Sequence, residues 1–177
     1  MSESPLRLER VLDIAYVNLR GAAQNAELQA AVHDACKVAL PDEANTVVGE
    51  NCMIFWLGPD EWMLVGDYVG SAGLAPELAA KLADQHVAIN DVSGGLVGYR
   101  LLGDGARRVL AKGCTLDLHP DVFGPGQCAQ TGLAKAGVVI RPLPDGSGYD
   151  LIVRRSFADY LWQWLLRAGR EYRIEVT

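Results

Sequence analysis

The stretch Asp91–Leu110, DVSGGLVGYRLLGDGARRVL, decides the fold of this chain because it contains a loop, a strand, a tight turn and a helix in succession. Leu96–Leu102 is a short apolar run with aromatic and branched residues, which is typical of a buried strand. A glycine-rich turn follows, and in it Asp104 is placed to cap a short helix that Gly113 ends. The stretch contains no cysteine, no histidine and no nucleophile–base pair. Its single residues therefore do not indicate a chemistry.

Hydrophobic periodicity predicts further elements on both sides of this stretch. Strands are predicted at Val11–Leu19, Thr46–Val48, Cys52–Leu57, Trp62–Val65, His86–Asp91, Cys128–Leu133, Val138–Ile140 and Tyr149–Arg155. Helices are predicted after an N-cap at Asn25, from Pro76 and after Ser156. Tyr149–Arg155 alternates in a way that suits a strand with one buried face. The elements predict an α+β fold, an antiparallel sheet covered by helices, in one domain over residues 1–177 with a frayed start at 1–8.

Composition excludes several classes of function. The chain has 177 residues, half of them hydrophobic, 21% charged residues and a net charge of −6. This acidic balance, with no Lys/Arg cluster, argues against nucleic acid as a partner. No apolar run is long enough to span a membrane, and the N-terminus has no apolar signal-peptide core. The expected location is the cytoplasm, with no membrane association.

The residues that most often bind metals or react as nucleophiles are scattered. They are Cys36, Cys52, Cys114, Cys128, His33, His86 and His119. No C-x-x-C pair occurs, and nothing suggests secretion, so we expect free, mostly buried thiols rather than disulfides. A zinc site has no ligand spacing to support it. We therefore predict no metal site in this chain.

Two other features have both a structural and a functional interpretation. Ser93-Gly94-Gly95 could be an anion cradle, but it lacks the longer spacings of known phosphate-binding loops, and a turn is the better interpretation. Phe55, Trp56 and Trp62 lie on a predicted hairpin. They are expected to brace the sheet, with a stacking platform for a planar ligand as the alternative.

The last helix is the most clearly marked element. Ser156 and Asp159 form a capping-box pattern. An apolar face then recurs at helical spacing in Phe157, Tyr160, Leu161, Trp164, Leu165 and Ala168. Trp162 and Leu166 lie on the opposite side of that helix, one turn apart. They are candidate residues for a contact with a partner subunit, since tryptophan is a frequent interface hot spot, and scattered surface apolar residues are the alternative.

Four segments follow one another along the chain. They are LGPDEWMLVG (Leu57–Gly66), DVSGGLVGYRLLGDGARRVLAKGCTLDL (Asp91–Leu118), FGPGQCAQTGLAKAGVVI (Phe123–Ile140) and RRSFADYLWQWLL (Arg154–Leu166). Together they resemble the gamma subunit of the heterotetrameric bacterial sarcosine oxidases. The second segment is also similar to the folate-binding domain of the glycine-cleavage aminomethyltransferases, in which D-[VL]-S precedes a strand and G-x-[DG]-A precedes a helix.

This resemblance implies a fold and a setting. The fold is that of the folate-binding aminomethyltransferase domain. The setting is a complex with alpha, beta and delta subunits that oxidatively demethylates sarcosine to glycine, with peroxide and with formaldehyde or methylenetetrahydrofolate as the other products. In that family the complex uses FAD, FMN, NAD, tetrahydrofolate and zinc on other subunits. The resemblance implies no cofactor in this chain.

The sequence departs from the aminomethyltransferase pattern at two places. Gly94-Gly95-Leu96 stands where the relatives continue with His-Met-Gly, and residues 132–136 (GLAKA) offer no acid where a folate-binding carboxylate is expected. A pterin site without its hydrogen-bonding partner gains little specificity. We therefore expect no productive folate binding and name no catalytic residue in this chain.

Three hypotheses follow from the sequence. The first is a non-catalytic assembly subunit of a sarcosine oxidase. The second is a stand-alone folate-binding protein of one-carbon transfer. The third is the equivalent subunit of a related dehydrogenase that acts on another N-methyl amino acid, such as N-methylglutamate. The sequence of this subunit does not separate the first from the third, because the substrate contacts would lie on another chain.

Overall fold

The structure is a computed structural model that describes residues 5–67 and 73–177. Contacts within the chain group these residues into two compact units. Unit 1 comprises residues 5–12 and 95–177, and unit 2 comprises residues 13–67 and 73–94. Each unit has its own sheet and its own hydrophobic cluster. The single predicted sheet is therefore two sheets, while the α+β class with helices packed on antiparallel strands is confirmed.

The described residues form eleven strands and four α-helices. The strands are β1 (Arg7–Val11), β2 (Ile14–Arg20), β3 (Val47–Val48), β4 (Cys52–Gly58), β5 (Glu61–Asp67), β6 (Ala88–Asp91), β7 (Leu96–Leu102), β8 (Ala129–Leu133), β9 (Ala136–Pro142), β10 (Gly148–Arg154) and β11 (Glu175–Val176). The helices are α1 (Ala26–Cys36), α2 (Leu74–Lys81), α3 (Ala106–Ala111) and α4 (Ala158–Ala168).

Unit 1 contains a six-stranded sheet with the order β11-β1-β7-β10-β9-β8. All its pairings are antiparallel except that of β1 with β11. Leu8, Leu101 and Tyr149 are direct neighbours across β1, β7 and β10, and they lie on the same face. Leu161 and Leu165 of α4 are fully buried in the same core cluster. The amphipathic helix thus covers the apolar face of this sheet.

Unit 2 contains a five-stranded antiparallel sheet with the order β3-β4-β5-β2-β6. Helix α1 begins as predicted, because the Asn25 side chain accepts hydrogen bonds from the backbone N–H groups of Glu27 and Leu28. Lys37 ends the helix in a left-handed conformation. Leu28 and Leu78 lie fully buried in the cluster beneath the two helices.

The aromatic hairpin of unit 2 braces its sheet, as expected. The side chains of Phe55 and Trp62 are each 1% exposed, and Trp56 packs partly buried against the core cluster. The indole Nε1–H of Trp62 donates a 2.9 Å hydrogen bond to the carbonyl of Pro41. Burial and a satisfied indole leave the Trp62 ring unavailable as a stacking platform.

The predicted strand Val11–Leu19 is interrupted. Asp13 has a φ of +56°, which breaks the extended backbone and sends β1 and β2 into different sheets. The predicted frayed start at 1–8 is also wrong for residues 6–8, because Leu6 and Leu8 are buried and Leu8 belongs to β1. Residues 1–4 lie outside the described part of the chain.

Two predicted helix caps are wrong. The N-cap of α3 is Gly105 rather than Asp104, and it makes no side-chain cap bond. The N-cap of α4 is Phe157, again without a side-chain bond, because residues Arg155–Phe157 form a 3₁₀ turn that leads into the helix. Ser156 lies within that turn and not at the cap position. Such 3₁₀ turns are frequent at the N-termini of α-helices.

The pairing of β7 with β10 requires a glycine at its start. A Cβ added to Gly148 would lie 2.0 Å from the carbonyl oxygen of Leu101, whereas a Cβ added to Gly137 of β9 meets no atom within 4 Å. We expect Gly148→Ala to lower the free energy of unfolding by at least about 1–3 kcal/mol, as overpacking against backbone does. Gly137→Ala is the matched control, with no expected loss. Urea denaturation of both variants measures this, and equal midpoints would contradict the required close approach.

Candidate functional site

The two residues predicted to contact a partner, Trp162 and Leu166, lie on α4. The side of this helix that packs on the core is not the side that was predicted. Trp162 packs partly buried against the core of unit 1, with its ring centroid 5.2 Å from that of Tyr99. Leu166 is likewise partly buried against that core. The buried residues of α4 are Ala158, Leu161 and Leu165. Relative to the prediction, the helix is rotated about its axis so that the side with Trp162 lies nearer the core. The prediction that Trp162 and Leu166 lie opposite the buried face is therefore wrong.

The same rotation exposes two aromatic residues that the sequence placed in the core. Phe157 is 40% exposed and Tyr160 is 38% exposed. They lie three residues apart, one turn along the start of α4. The prediction rested on the spacing of apolar residues. This spacing does not determine how the helix is rotated about its axis against the sheet. These two rings form an aromatic patch on the flank of α4 opposite to Trp162.

An ion-pair network crosses the sheet of unit 1. The Asp150 carboxylate accepts a 2.7 Å hydrogen bond from Nε of Arg100 on β7 and a 2.6 Å bond from Nη2 of Arg141 on β9. Arg141 and Asp150 are 8% and 9% exposed, and hydrogen bonding to Asp150 raises the pKa of Arg100. The prediction of one buried face for β10 is therefore wrong, because paired charges let its polar side be buried too.

A groove of about 910 Å³ opens beside this network in unit 1. Its charged lining residues are Arg7, Arg100, Arg141, Glu9, Asp104, Asp145 and Glu175. Both signs of charge are mixed along the groove, and Asp150 already binds two of the three arginines. The groove therefore does not favour either an anionic or a cationic ligand.

The D-V-S sequence forms a hydrogen-bonded turn at the end of β6. One carboxylate oxygen of Asp91 accepts from the backbone N–H of Ser93 at 2.9 Å and from its hydroxyl at 2.5 Å. The Ser93 hydroxyl oxygen accepts from the backbone N–H of Tyr16 on β2 at 2.9 Å. These bonds hold the pKa of Asp91 below its usual range. Residues Ser93–Gly95 form a 3₁₀ turn, which confirms the turn interpretation.

A recess of about 600 Å³ in unit 2 brings two cysteines together. Cys36 is the last residue of α1 and Cys52 the first of β4, and both line the recess. Their thiols hydrogen-bond each other, and this contact raises the pKa of Cys36 and lowers that of Cys52. All four cysteines are in the thiol form, with Cys36 and Cys128 buried and Cys52 and Cys114 half-buried. No local sequence pattern indicated this pair, because Cys36 and Cys52 are sixteen positions apart.

The histidines lie apart from these features. His33, His86 and His119 are all exposed, and the ring Nδ1 of His119 accepts a hydrogen bond from the backbone of Asp121. Within residues 5–67 and 73–177, no group of three His, Cys, Asp or Glu side chains could hold a metal ion. None of the helices in these two segments is both long enough and apolar enough to cross a membrane.

The fold has a known class. The structure superposes on the glycine cleavage system aminomethyltransferase T from Bartonella henselae with a TM-score of 0.71 over 98% of this chain and 48% of that one. The sequence identity is 16%, so this likeness concerns the fold alone. The described strands and helices therefore have the architecture of one part of an aminomethyltransferase.

The family follows from closer relatives. The model of the sarcosine oxidase, gamma subunit family matches residues 20–171. Sarcosine oxidase subunit gamma from Corynebacterium sp. (strain P-1) is 34% identical over 82% of this chain and 71% of its own, and that from Arthrobacter sp. is 33% identical over 86% and 72%. The heterotetrameric sarcosine oxidase from Corynebacterium sp. U-96 contains a chain with a TM-score of 0.86 and 29% identity, over 97% of this chain and 87% of that one. The chain belongs to the sarcosine oxidase gamma subunit family.

The turn at Asp91 predicts a pH-dependent stability. Ser93→Ala removes the hydroxyl that serves both Asp91 and the backbone N–H of Tyr16, at a cost of about 1 kcal/mol for each bond lost at neutral pH. A depressed carboxyl pKa stabilises the fold above the pKa of the unfolded state, and this contribution disappears as pH falls through the folded-state pKa. The stability gap between wild type and variant therefore narrows in acid.

Urea denaturation at neutral pH and below pH ~4, the usual range for aspartate, measures this gap. Gly94→Ala is the matched control, since an added Cβ at Gly94 meets no atom within 4 Å. A gap that stays constant across this pH range would show that Ser93 does not act through the Asp91 carboxylate.

Proposed function

We propose that this chain is an assembly subunit, without catalytic residues of its own, of a heterotetrameric sarcosine oxidase in the cytoplasm. The observation that supports the subunit role most strongly is the match of the gamma-subunit family over residues 20–171, together with the likeness of 97% of the chain to a chain of a heterotetrameric sarcosine oxidase. Four cysteines in the thiol form support a reducing compartment. The partners in this proposal are the alpha, beta and delta subunits.

The described side chains support a structural role for the places that resemble a folate site. Asp91 and Ser93 use their polar atoms to close the turn that follows β6 and to hold it against Tyr16 of β2. The hairpin between β8 and β9 turns through Ala134 and Lys135, where the sequence offers no carboxylate. A buried pterin without such a partner would leave its own polar groups unpaired. These residues do not fit a folate site.

In this proposal the other subunits bind the FAD, FMN, NAD, tetrahydrofolate and zinc of the complex. The complex oxidises the N-methyl group of sarcosine and releases glycine, peroxide and either formaldehyde or methylenetetrahydrofolate. This chain contributes surface and stability to the assembly. Its contribution is then visible in the yield and lifetime of the complex, and not in the chemistry of the isolated chain.

The direct test is co-expression of the tagged chain with the reading frames that adjoin its gene. We expect the tag to retain a yellow complex of several subunits that oxidises sarcosine with release of peroxide. We expect the purified chain alone to be colourless and inactive toward sarcosine. Absorption spectra of the retained material and a peroxide assay with sarcosine measure both outcomes.

Other outcomes of this experiment have defined meanings. A complex that oxidises N-methylglutamate faster than sarcosine would replace the proposed substrate by that of the related dehydrogenase. A chain that is retained alone and binds tetrahydrofolate in a titration would replace the assembly role by stand-alone folate binding. Flavin bound to the isolated chain would contradict the non-catalytic role.

The two flanks of α4 are the proposed partner contacts, and substitutions can separate them. Tyr160→Ala removes an exposed ring from the aromatic patch, whereas Trp162→Ala removes the half-buried ring on the other flank. Removing an interface aromatic ring is expected to weaken assembly by about 2 kcal/mol or more, or roughly thirtyfold. Gln163→Ala, an exposed position on the same helix, is the control with no expected effect.

Titration of the tagged variants against the remaining subunits measures the loss for each flank. Thermal unfolding of each isolated variant checks folding separately, because Trp162 also packs on Tyr99. Full assembly of the folded Trp162→Ala chain would remove Trp162 and Leu166 from the interface, and full assembly of Tyr160→Ala would remove the aromatic patch.

A further inference from the structure

The recess in unit 2 holds two thiols that are placed to react with each other. Cys36 at the end of α1 and Cys52 at the start of β4 line the same recess and belong to the same packed region of the unit 2 core. The thiol groups are in hydrogen-bond contact. A disulfide needs two cysteines whose side chains already point toward each other, so that the backbone does not have to move far. The thiols of Cys36 and Cys52 interact with each other across the recess that both residues line.

The environments of the two thiols differ in a way that assigns separate roles. Cys52 is half-buried, and the hydrogen bond from Cys36 lowers the pKa of its thiol. Cys36 is buried, and both this bond and burial raise the pKa of its thiol. The thiolate is the nucleophilic form of cysteine. Cys52 is therefore the thiol that attacks an oxidant, and Cys36 is the one that resolves the product.

We propose that Cys36 and Cys52 form a reversible redox pair that a hydroperoxide oxidises to a disulfide. In the first step the Cys52 sulfur attacks hydrogen peroxide, the O–O bond breaks, and one water leaves as Cys52 becomes a sulfenic acid. In the second step the Cys36 sulfur attacks the Cys52 sulfur, the S–O bond breaks, and the hydroxyl leaves with the Cys36 proton as a second water. The two thiols lose two electrons and the peroxide gains them.

The disulfide would join the last residue of α1 to the first residue of β4. It would close a loop that contains Lys37, Gly49 and the other residues between the two cysteines. A dithiol regenerates the two thiols by exchange, so the modification is reversible. The proposal concerns this chain's own cysteines, and it rests on the proposed function only for the source of the oxidant, since an oxidase that releases peroxide would supply it nearby.

The other two cysteines provide an internal comparison. Cys114 is half-buried like Cys52, but its sulfur lies 3.9 Å from the Thr131 hydroxyl and its neighbour is therefore not a thiol. Cys128 is buried. Exposure alone would make Cys114 as reactive as Cys52, so a difference between them reports the effect of the Cys36 partner.

The experiment treats the full chain with hydrogen peroxide, blocks the remaining thiols by alkylation and maps the peptides without reduction. We expect the loss of two of the four thiols per chain, a peptide pair linked through Cys36 and Cys52, and recovery of both thiols with dithiothreitol. We expect Cys36→Ala to leave Cys52 as a sulfenic acid that dimedone traps. Cys114→Ser is the matched control, and its Cys36–Cys52 link forms at the wild-type rate.

Two results would overturn the proposal. One is a sulfenic or sulfinic acid at Cys52 of the wild-type chain while Cys36 remains alkylated. The other is oxidation of Cys52 no faster than that of Cys114. Because the oxidant is added as a reagent to the chain alone, these results do not depend on whether the chain assembles into an oxidase. Failure of assembly with an intact Cys36–Cys52 link would overturn only the proposed function.

Discussion

Backbone pairing of β7 with two partners is the constraint on which the structure of unit 1 depends. β7 pairs along its length with β1 on one side and with β10 on the other. The first strand of the chain is thereby built into a sheet whose other members all follow residue 95. In the chain order, unit 2 is consequently an insertion between β1 and β7. The two segments of unit 1, residues 5–12 and 95–177, are joined by the hydrogen bonds between their strands and not by continuous chain. Gly148 allows β10 to approach β7 closely at the start of this pairing.

Paired charges allow the same sheet to bury polar side chains as well as apolar ones. Asp150 on β10 lies between Arg100 on β7 and Arg141 on β9, so one carboxylate bridges three neighbouring strands. A buried charge is tolerated when it is paired and hydrogen-bonded, and each group here meets that condition. Replacing Asp150 would leave both arginines without this carboxylate, whereas replacing one arginine would leave Asp150 paired with the other. The shared carboxylate therefore links β7, β10 and β9 through side chains as well as through backbone pairing.

The sequence predicted local structure well wherever a local signal dominates. The bounds of β7 agree with the prediction, Asn25 caps α1, and the aromatic hairpin braces its sheet, because each depends on neighbouring residues. Predictions failed where distant packing decides the outcome. The break between β1 and β2 at Asp13 follows from the pairing of these strands in two different sheets. The burial of Asp150 depends on arginines from other strands. The roll of α4 toward Trp162, which exposed Tyr160, is likewise set by the sheet beneath it. For the Cys36–Cys52 pair, only the fold brings the residues together.

The family could be predicted from four short segments, and the structure explains what some of their residues do. Asp91 and Ser93 close a strand-end turn, and this structural role does not depend on a bound ligand. The most direct measurement of the central claim is native mass spectrometry of the purified assembly that contains this chain. The expected result is a heterotetramer with one copy of this chain, from which its removal leaves the flavin on the other subunits. A stable homo-oligomer of this chain, or flavin that departs with it, would contradict the claim.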